Sequence, residues 1–301
     1  MAWDVMADRM TERAPCDGGL PALYPLLYEP LLRQTLLEDL GRAGDMTTDA
    51  VVPVETQATA LVVVRQDGRV AGLEVALAAF RLLEPGLSLT PMRADGADVA
   101  AGTVLAQVKG AARPILSAER TALNLLGRLC GIATTTRAAV RAVAGTRARI
   151  VCTRKTTPGL RTLEKYAVRA GGGHNHRFGL DDAVLIKDNH LVAAGGLRPA
   201  VERARARLGH MVKIEVEVDT LEQLQELLTL PVDAVLLDNM TASQLRQAVI
   251  LVNGRMLTEA SGGITLDTVR SVAETGVDMI SLGWLTHSAR SLDVGLDFTM
   301  N

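Results

Sequence analysis

The chain has 301 residues, 48% of them apolar, enough for one large α/β domain and a smaller companion around a well-filled core. Its formal charge of −2, with no blocks of like charge, excludes a general attraction to nucleic acid or to an anionic membrane, so anionic ligands must be met by locally clustered Arg and Lys. Three scattered cysteines, Cys16, Cys130 and Cys152, exclude a disulfide framework and any CxxC metal pair, and they fit a reducing cytoplasm.

In chain order, Asp4, Asp8, Arg9, Glu12 and Arg13 interrupt every apolar run of the first twenty residues. No secretory h-region exists there, and no later stretch reaches transmembrane length. Residues 1–22 are read as a poorly ordered tail. Helical spacing over 30–41 is punctuated by Gly44-Asp45-Met46-Thr47-Thr48, after which a β-branched run begins at Val51. Residues 59–65, 88–92 and 104–109 are expected as strands, with a helix over 75–83 and turns at Asp95-Gly96 and Ala101-Gly102. This predicts a small α/β domain over 23–118. Ser117, with Arg120 three residues on, is expected to open a long helix over 117–129, half matching a capping box.

From there on, β-like runs at 149–152, 183–186, 212–218, 234–237, 256–258 and 279–282 alternate with amphipathic helical stretches. The first five end in, or lead straight into, ionisable side chains: Arg154 and Lys155, Lys187 and Asp188, Glu215 and Glu217, Asp238, and Glu259. Loops that follow the strands of a parallel β/α barrel gather on one face, so charge repeated at that position converges on one pocket. Six strands in place of eight predict an incomplete β/α barrel over 119–288; a doubly wound open sheet would also collect charge at strand ends.

Such a rim holds Arg154, Lys155, Arg177 and Lys187 as cations and Glu217 and Asp238 as anions, a set suited to a polyanion whose phosphates bring a divalent metal. Gly262-Gly263 after Ser261, and Gly283 after the last strand, offer unhindered backbone N–H groups for a phosphate, although a Ser-Gly-Gly turn alone is also an ordinary turn. His174-Asn175-His176 follows a glycine run inside a loop without a third ligand at convincing spacing. His176 is therefore read as a substrate contact beside Arg177 rather than a metal ligand, and His174 as a surface residue. A rim lysine could instead serve a Schiff-base aldolase, but Arg154 and several carboxylates make the neighbourhood polar.

These residues carry a family resemblance that spans nearly the whole chain after the tail. The strings are Glu38-Asp39 with Gly44-Asp45-Met46-Thr47-Thr48; Glu119-Arg120-Thr121-Ala122-Leu123-Asn124; Gly131-Ile132-Ala133-Thr134; Thr153-Arg154-Lys155-Thr156-Thr157-Pro158-Gly159; Glu164-Lys165-Tyr166-Ala167-Val168; Asn175-His176-Arg177; Lys187-Asp188-Asn189-His190; Glu215-Val216-Glu217; Asp238-Asn239; and Glu259-Ala260-Ser261-Gly262-Gly263. Together they resemble quinolinate phosphoribosyltransferase. The resemblance implies an N-terminal α/β sandwich domain, to which residues 289–301 return, and an incomplete barrel. It implies transfer of phosphoribosyl from phosphoribosyl pyrophosphate to quinolinate, giving nicotinate mononucleotide, CO₂ and pyrophosphate for NAD synthesis.

By the same resemblance, Arg154, His176 and Arg177 meet the quinolinate carboxylates, joined by Arg120 from the partner subunit. Lys155 and Lys187 serve both substrates and, with Glu217 and Asp238, are the catalytic set. Glu217 and Asp238 also hold ribose hydroxyls and Mg²⁺ through water, while Ser261, Gly262, Gly283 and His287 hold the 5′-phosphate. A homodimer with shared active sites is implied, with a hexamer left open. Cys152 stands where the family usually has Asp, Ala170 replaces a common Cys, and Gly127 with Cys130 vary the helix between the domains, Gly127 weakening it by about 1 kcal/mol relative to Ala. A molybdenum-transport-associated relative shares the fold and Thr-Arg-Lys-Thr, but typically alters the segment that is intact here from Lys187 to His190. A nicotinate phosphoribosyltransferase of related fold handles one carboxylate, whereas Asn175-His176-Arg177 beside Arg120 suits two.

Overall fold

The computed structural model describes residues 20–300, so most of the expected tail, with Cys16, lies outside the described residues. A 3-10 turn (Pro25–Leu27) leads into α1 (Glu29–Leu40), α2 (Met46–Val51), β1 (Gln57–Val64), β2 (Gly68–Arg69), α3 (Leu73–Leu83), β3 (Ser88–Pro91), β4 (Asp98–Val99), β5 (Val104–Ala111) and α4 (Ala112–Ala142). Four strands form an antiparallel sheet in the order β12-β1-β5-β3, where β12 (Val294–Met300) is the last strand of the chain. Alternation along β1 buries Ala60, Val62 and Val64 in one core with α1, α3 and the first half of α4.

Two local expectations shift. Val51 ends a helix instead of starting a strand, because Asp45 caps α2: its Oδ1 accepts the Thr48 N–H at 3.0 Å and its Oδ2 the Thr48 hydroxyl at 2.6 Å. These bonds hold the Asp45 carboxyl below its ordinary pKa. Ser117 does not start α4, which begins five residues earlier; its hydroxyl instead donates to Asp45 Oδ2 at 3.0 Å. The 31-residue α4 thus runs straight through the expected domain boundary. Ile115, Ala122, Leu126 and Leu129 belong to the core of the antiparallel domain, while Ala139 belongs to the second core.

Gly127 and Gly131 on α4 let the C-terminal segment cross close by: a Cβ would sit 2.8 Å from Leu292 O at Gly127 and 2.0 Å from Arg290 O at Gly131. The Leu292 N–H donates to Gly127 O at 2.9 Å. Gly127 therefore serves the return of the chain to β1, beyond its cost in helix propensity.

The second half runs β6 (Arg149–Val151), α5 (Arg161–Ala170), β7 (Val184–Ile186), α6 (Asp188–Ala194), α7 (Leu197–Arg207), β8 (Ile214–Val218), α8 (Leu221–Leu227), β9 (Ala234–Asp238), α9 (Ala242–Val252), β10 (Leu257–Ser261), α10 (Val269–Ala273), β11 (Met279–Ser281) and α11 (Trp284–His287). Its strands are parallel, in the order β6-β11-β10-β9-β8-β7. The first strand lies beside the last and the rest follow in sequence. That cyclic order belongs to a barrel; a doubly wound sheet reverses direction at a switch point. The barrel is open between β6 and β7. His174 bridges to β6 there, its N–H donating to Ile150 O at 2.8 Å and its carbonyl accepting the Cys152 N–H at 3.0 Å.

Candidate active site

At the C-terminal rim of the strands lies one cavity of about 770 Å³. Arg154, Lys155, His176, Arg177, Lys187, Glu217, Asp238, Ser261, Gly262, Gly283 and His287 all line it. The structure also places Thr153, Asn239, Glu259, Gly263 and Trp284 on its wall. Arg120 lies elsewhere, on α4, its side chain 65% exposed in a small groove with Glu38, Asp39 and Asn124.

Each side chain is aimed by its backbone. The loop after β6 presents Arg154 and Lys155 and is pinned from behind by buried Glu164, which accepts the Thr157 N–H at 3.0 Å, the Thr157 hydroxyl at 2.8 Å and Arg128 Nη2 at 2.8 Å. The Thr286 hydroxyl donates to Lys155 O at 2.8 Å, tying that loop to α11. Lys187 directly follows β7, and its Nζ donates to Glu217 Oε2 at 2.7 Å. Asp238 ends β9, with Asn239 next to it in the left-handed region at φ 52°. Gly262, at φ 89°, comes so close to Asn239 that a Cβ would stand 2.2 Å from Oδ1. Helix α10 starts only at Val269, so Gly262-Gly263 belong to a loop.

His176 reveals a feature that sequence reading missed. Its Nδ1 accepts the Arg177 N–H at 2.8 Å, so in this arrangement the ring proton sits on Nε2, which donates to Glu215 Oε2 at 2.9 Å. Glu259 Oε1 lies 3.7 Å from the same nitrogen. Burial pushes the His176 pKa down, but the Glu215 bond and the Glu259 charge outweigh it and leave it raised. Against this, a second ring proton would have to sit on Nδ1, facing the Arg177 N–H, and the geometry favours the neutral ring. Burial first, and the Glu215 charge second, push Glu259 up to about 8; neither of its oxygens has a hydrogen-bond partner.

The three side chains have metal-like spacing, their ligand atoms all within 4.8 Å of one another. The carboxylates that the sequence did not place near the His-x-His loop are thus present around His176. Nε2 nevertheless carries a proton and offers no lone pair, so the cluster reads as a hydrogen-bonded support for the imidazole. Glu215 and Glu217 alternate along β8 onto one face, a signal that could have paired them. His174 is exposed.

Residues 45–130 match the quinolinate phosphoribosyl transferase N-terminal domain, and residues 132–297 match the C-terminal domain of the same name. The chain belongs to the quinolinate phosphoribosyltransferase family. Within that family, the nicotinate-nucleotide pyrophosphorylase (carboxylating) of Mycobacterium leprae is 46% identical over 271 residues, covering 88% of this chain and 95% of that one. The chloroplastic enzyme of that name from Arabidopsis thaliana is 41% identical over 298 residues, covering 93% and 85%. The crystal structure of NadC from Streptococcus pyogenes superposes with a TM-score of 0.90 at 38% identity, covering 93% of this chain and 99% of that one.

Proposed function

We infer that this quinolinate phosphoribosyltransferase transfers phosphoribosyl from phosphoribosyl pyrophosphate to quinolinate with loss of CO₂, giving nicotinate mononucleotide and pyrophosphate. One observation carries the reading: Arg154, Lys155, Arg177 and Lys187 converge on a cavity that also holds Glu217 and Asp238, large enough for both substrates. Arg154 and Arg177 suit the two carboxylates, since guanidinium groups pair with planar anions through two parallel hydrogen bonds. Burial first, and the Arg154 charge second, hold Arg177 below its ordinary pKa; a bound dianion relieves that crowding. Lys187, held at 2.7 Å by Glu217, is a movable cation for either substrate.

When the ring nitrogen attacks ribose C1, the carboxylates of Glu217 and Asp238 stabilise the positive charge developing on the sugar. Glycosylation leaves the ring nitrogen cationic, so the C–C bonding pair left on the ring carbon when CO₂ departs lies beside a positive centre of the substrate itself until a proton from water takes it up. The protein's part is to orient the acid and exclude water. Ser261, Gly262, Gly283 and His287, which line the same cavity beside Asp238 and Lys155, suit the 5′-phosphate. The donor set at the ends of adjacent strands β8 and β9, two carboxylates able to act through water, fits a hard cation. Glu217 and Asp238 would hold Mg²⁺, which would neutralise charge on the departing pyrophosphate.

That Arg120 does not line the cavity of its own chain, but an exposed groove on α4, supports a homodimer in which each subunit lends this arginine to its partner's site. A cytoplasmic setting belongs to the same reading. It rests on buried free Cys130 and Cys152, and on the lack of any helix, among the described residues, long and apolar enough to cross a membrane. The test is to supply quinolinate, phosphoribosyl pyrophosphate and Mg²⁺ and measure nicotinate mononucleotide and CO₂ together. Stoichiometric appearance of both is expected, and nucleotide formation from nicotinate alone would overturn the reading.

A further inference from the structure

Lys165, on α5, is fully buried behind the loop that carries His176 and Arg177. Its Nζ donates to His176 O at 3.0 Å and to Cys152 Sγ at 3.0 Å, and it stands 5.9 Å from the centre of the Phe178 ring. Its three N–H groups thus have a carbonyl, a sulfur and an aromatic face to meet, and among the described residues it forms no ion pair with a carboxylate. Cys152 is itself fully buried, immediately before Thr153-Arg154-Lys155, and its Sγ donates to Asn175 Oδ1 at 3.4 Å. One ammonium group therefore ties the start of the Arg154 loop to the His176 loop.

A buried lysine is costly, and an apolar side chain would fill the same space at less expense unless the charge has a use. Its use is visible in what the two loops carry. Arg154 and Arg177 bring like charges together at the cavity, and Arg154 Nε is buried without a partner. Without a bound anion, their repulsion works against the close approach of the two loops. The His174 bridge joins β6 to the segment before this loop and includes neither arginine.

We propose that Lys165, seated between Cys152 and the His176 carbonyl, is a positioning residue that holds the His176-Arg177 loop against the Arg154 loop, so that the acid substrate meets a preformed pair of cations. The proposal deepens the reading that Arg154 and Arg177 receive the carboxylates of quinolinate, and it rests on that reading. Cys152 is the second half of the clamp, acting through Lys165 and Asn175.

The test uses the full chain with Lys165→Met, Cys152→Ala and Cys152→Asp, alongside Arg177→Ala. Lys165→Met should raise the quinolinate KM roughly tenfold or more while leaving the phosphoribosyl pyrophosphate KM within about twofold, because misplacing one loop affects one substrate. Hydrogen exchange over residues 174–178 should quicken in the same variant. Cys152→Ala should shift the quinolinate KM in the same direction, and Cys152→Asp, which gives Lys165 a charged acceptor, should restore it. A purely structural lysine would instead lower the active fraction, leaving both KM values alone, and that result would overturn the clamp. So would unchanged exchange over 174–178 in folded Lys165→Met. If Arg177→Ala leaves the quinolinate KM untouched, the assignment of the carboxylate site has failed, and the exchange measurement decides the clamp independently. Should Lys165→Met fail to fold, the two Cys152 variants decide: equal quinolinate KM values for Ala and Asp would sink the proposal.

Discussion

Glu217 and Lys187 neutralise each other at 2.7 Å across β7 and β8, so each is held ready without being spent on the fold. If Glu217 and Asp238 act on ribose and Mg²⁺, Glu217→Ala and Asp238→Ala should keep quinolinate binding while use of phosphoribosyl pyrophosphate collapses. Calorimetry with each substrate in turn, with and without Mg²⁺, checks this; loss of quinolinate affinity with an unchanged Mg²⁺ response would reverse the assignment. Glu259 offers a separate test through pH. Its carboxyl is raised by burial and by Glu215 to about 8, so between the unfolded value near 4.5 and the folded one the native state holds more protons than the unfolded chain. Stability contributed by protonated Glu259 is therefore complete below about 4.5 and drains away as pH rises towards 8, an effect on the order of a few kcal/mol. Glu259→Gln cannot ionise, so the melting temperature of the variant minus that of wild type should climb from pH 5 to pH 8 and then level off. A difference independent of pH would show that Glu259 is already ionised in the folded protein.

At the scale of elements, α4 shows how one helix serves two cores and a crossing. Alanine at Gly127 would gain up to ~1 kcal/mol of helix propensity. It would also drive a Cβ to 2.8 Å from Leu292 O, where the partner atom is backbone already bonded to the helix. Net destabilisation of about 1–3 kcal/mol is expected, as overpacking usually outweighs propensity. Thermal unfolding of Gly127→Ala reads it, and a raised melting temperature would mean that β12 and its lead-in can shift without loss. The loops at the rim follow the same logic: Glu164, Arg128 and Thr286 are not substrate contacts in this reading, yet they fix where Lys155 and its neighbours stand.

For the whole molecule, the position of Arg120 is the observation with the largest consequence. If it completes the partner's site, Arg120→Ala and Lys187→Ala homodimers should each be inactive, while their heterodimer holds one site with both defects and one site with none. Random subunit exchange makes about half of the dimers mixed, so activity should return to roughly a quarter of wild type. Exchange followed by tagged subunits, with activity measured beside it, tests this; exchange without recovery would place Arg120 in its own chain's work or in the fold.

Much of the architecture was legible along the chain. Apolar runs alternating with amphipathic helices marked all six barrel strands to within a few residues, and strand-end charge marked the rim, because local periodicity and βα order dictate which end a residue occupies. Lys187, Glu217, Asp238 and Ser261 needed little more than that. What periodicity cannot express is which elements meet. The capping by Asp45 that turned Val51 into a helix end, the closeness of Glu259 to His176 across the barrel, and the seating of Lys165 against Cys152 all join residues through packing. The order of the sheet and its opening between β6 and β7, where His174 bridges to β6, bring those residues together. Sequence by itself determined the strands, the rim charges and the family; the tertiary structure decided that His176 is bonded by Glu215 on its ring, with Glu259 close by, and by a buried lysine on its backbone, because those contacts arise only once the sheet has curled.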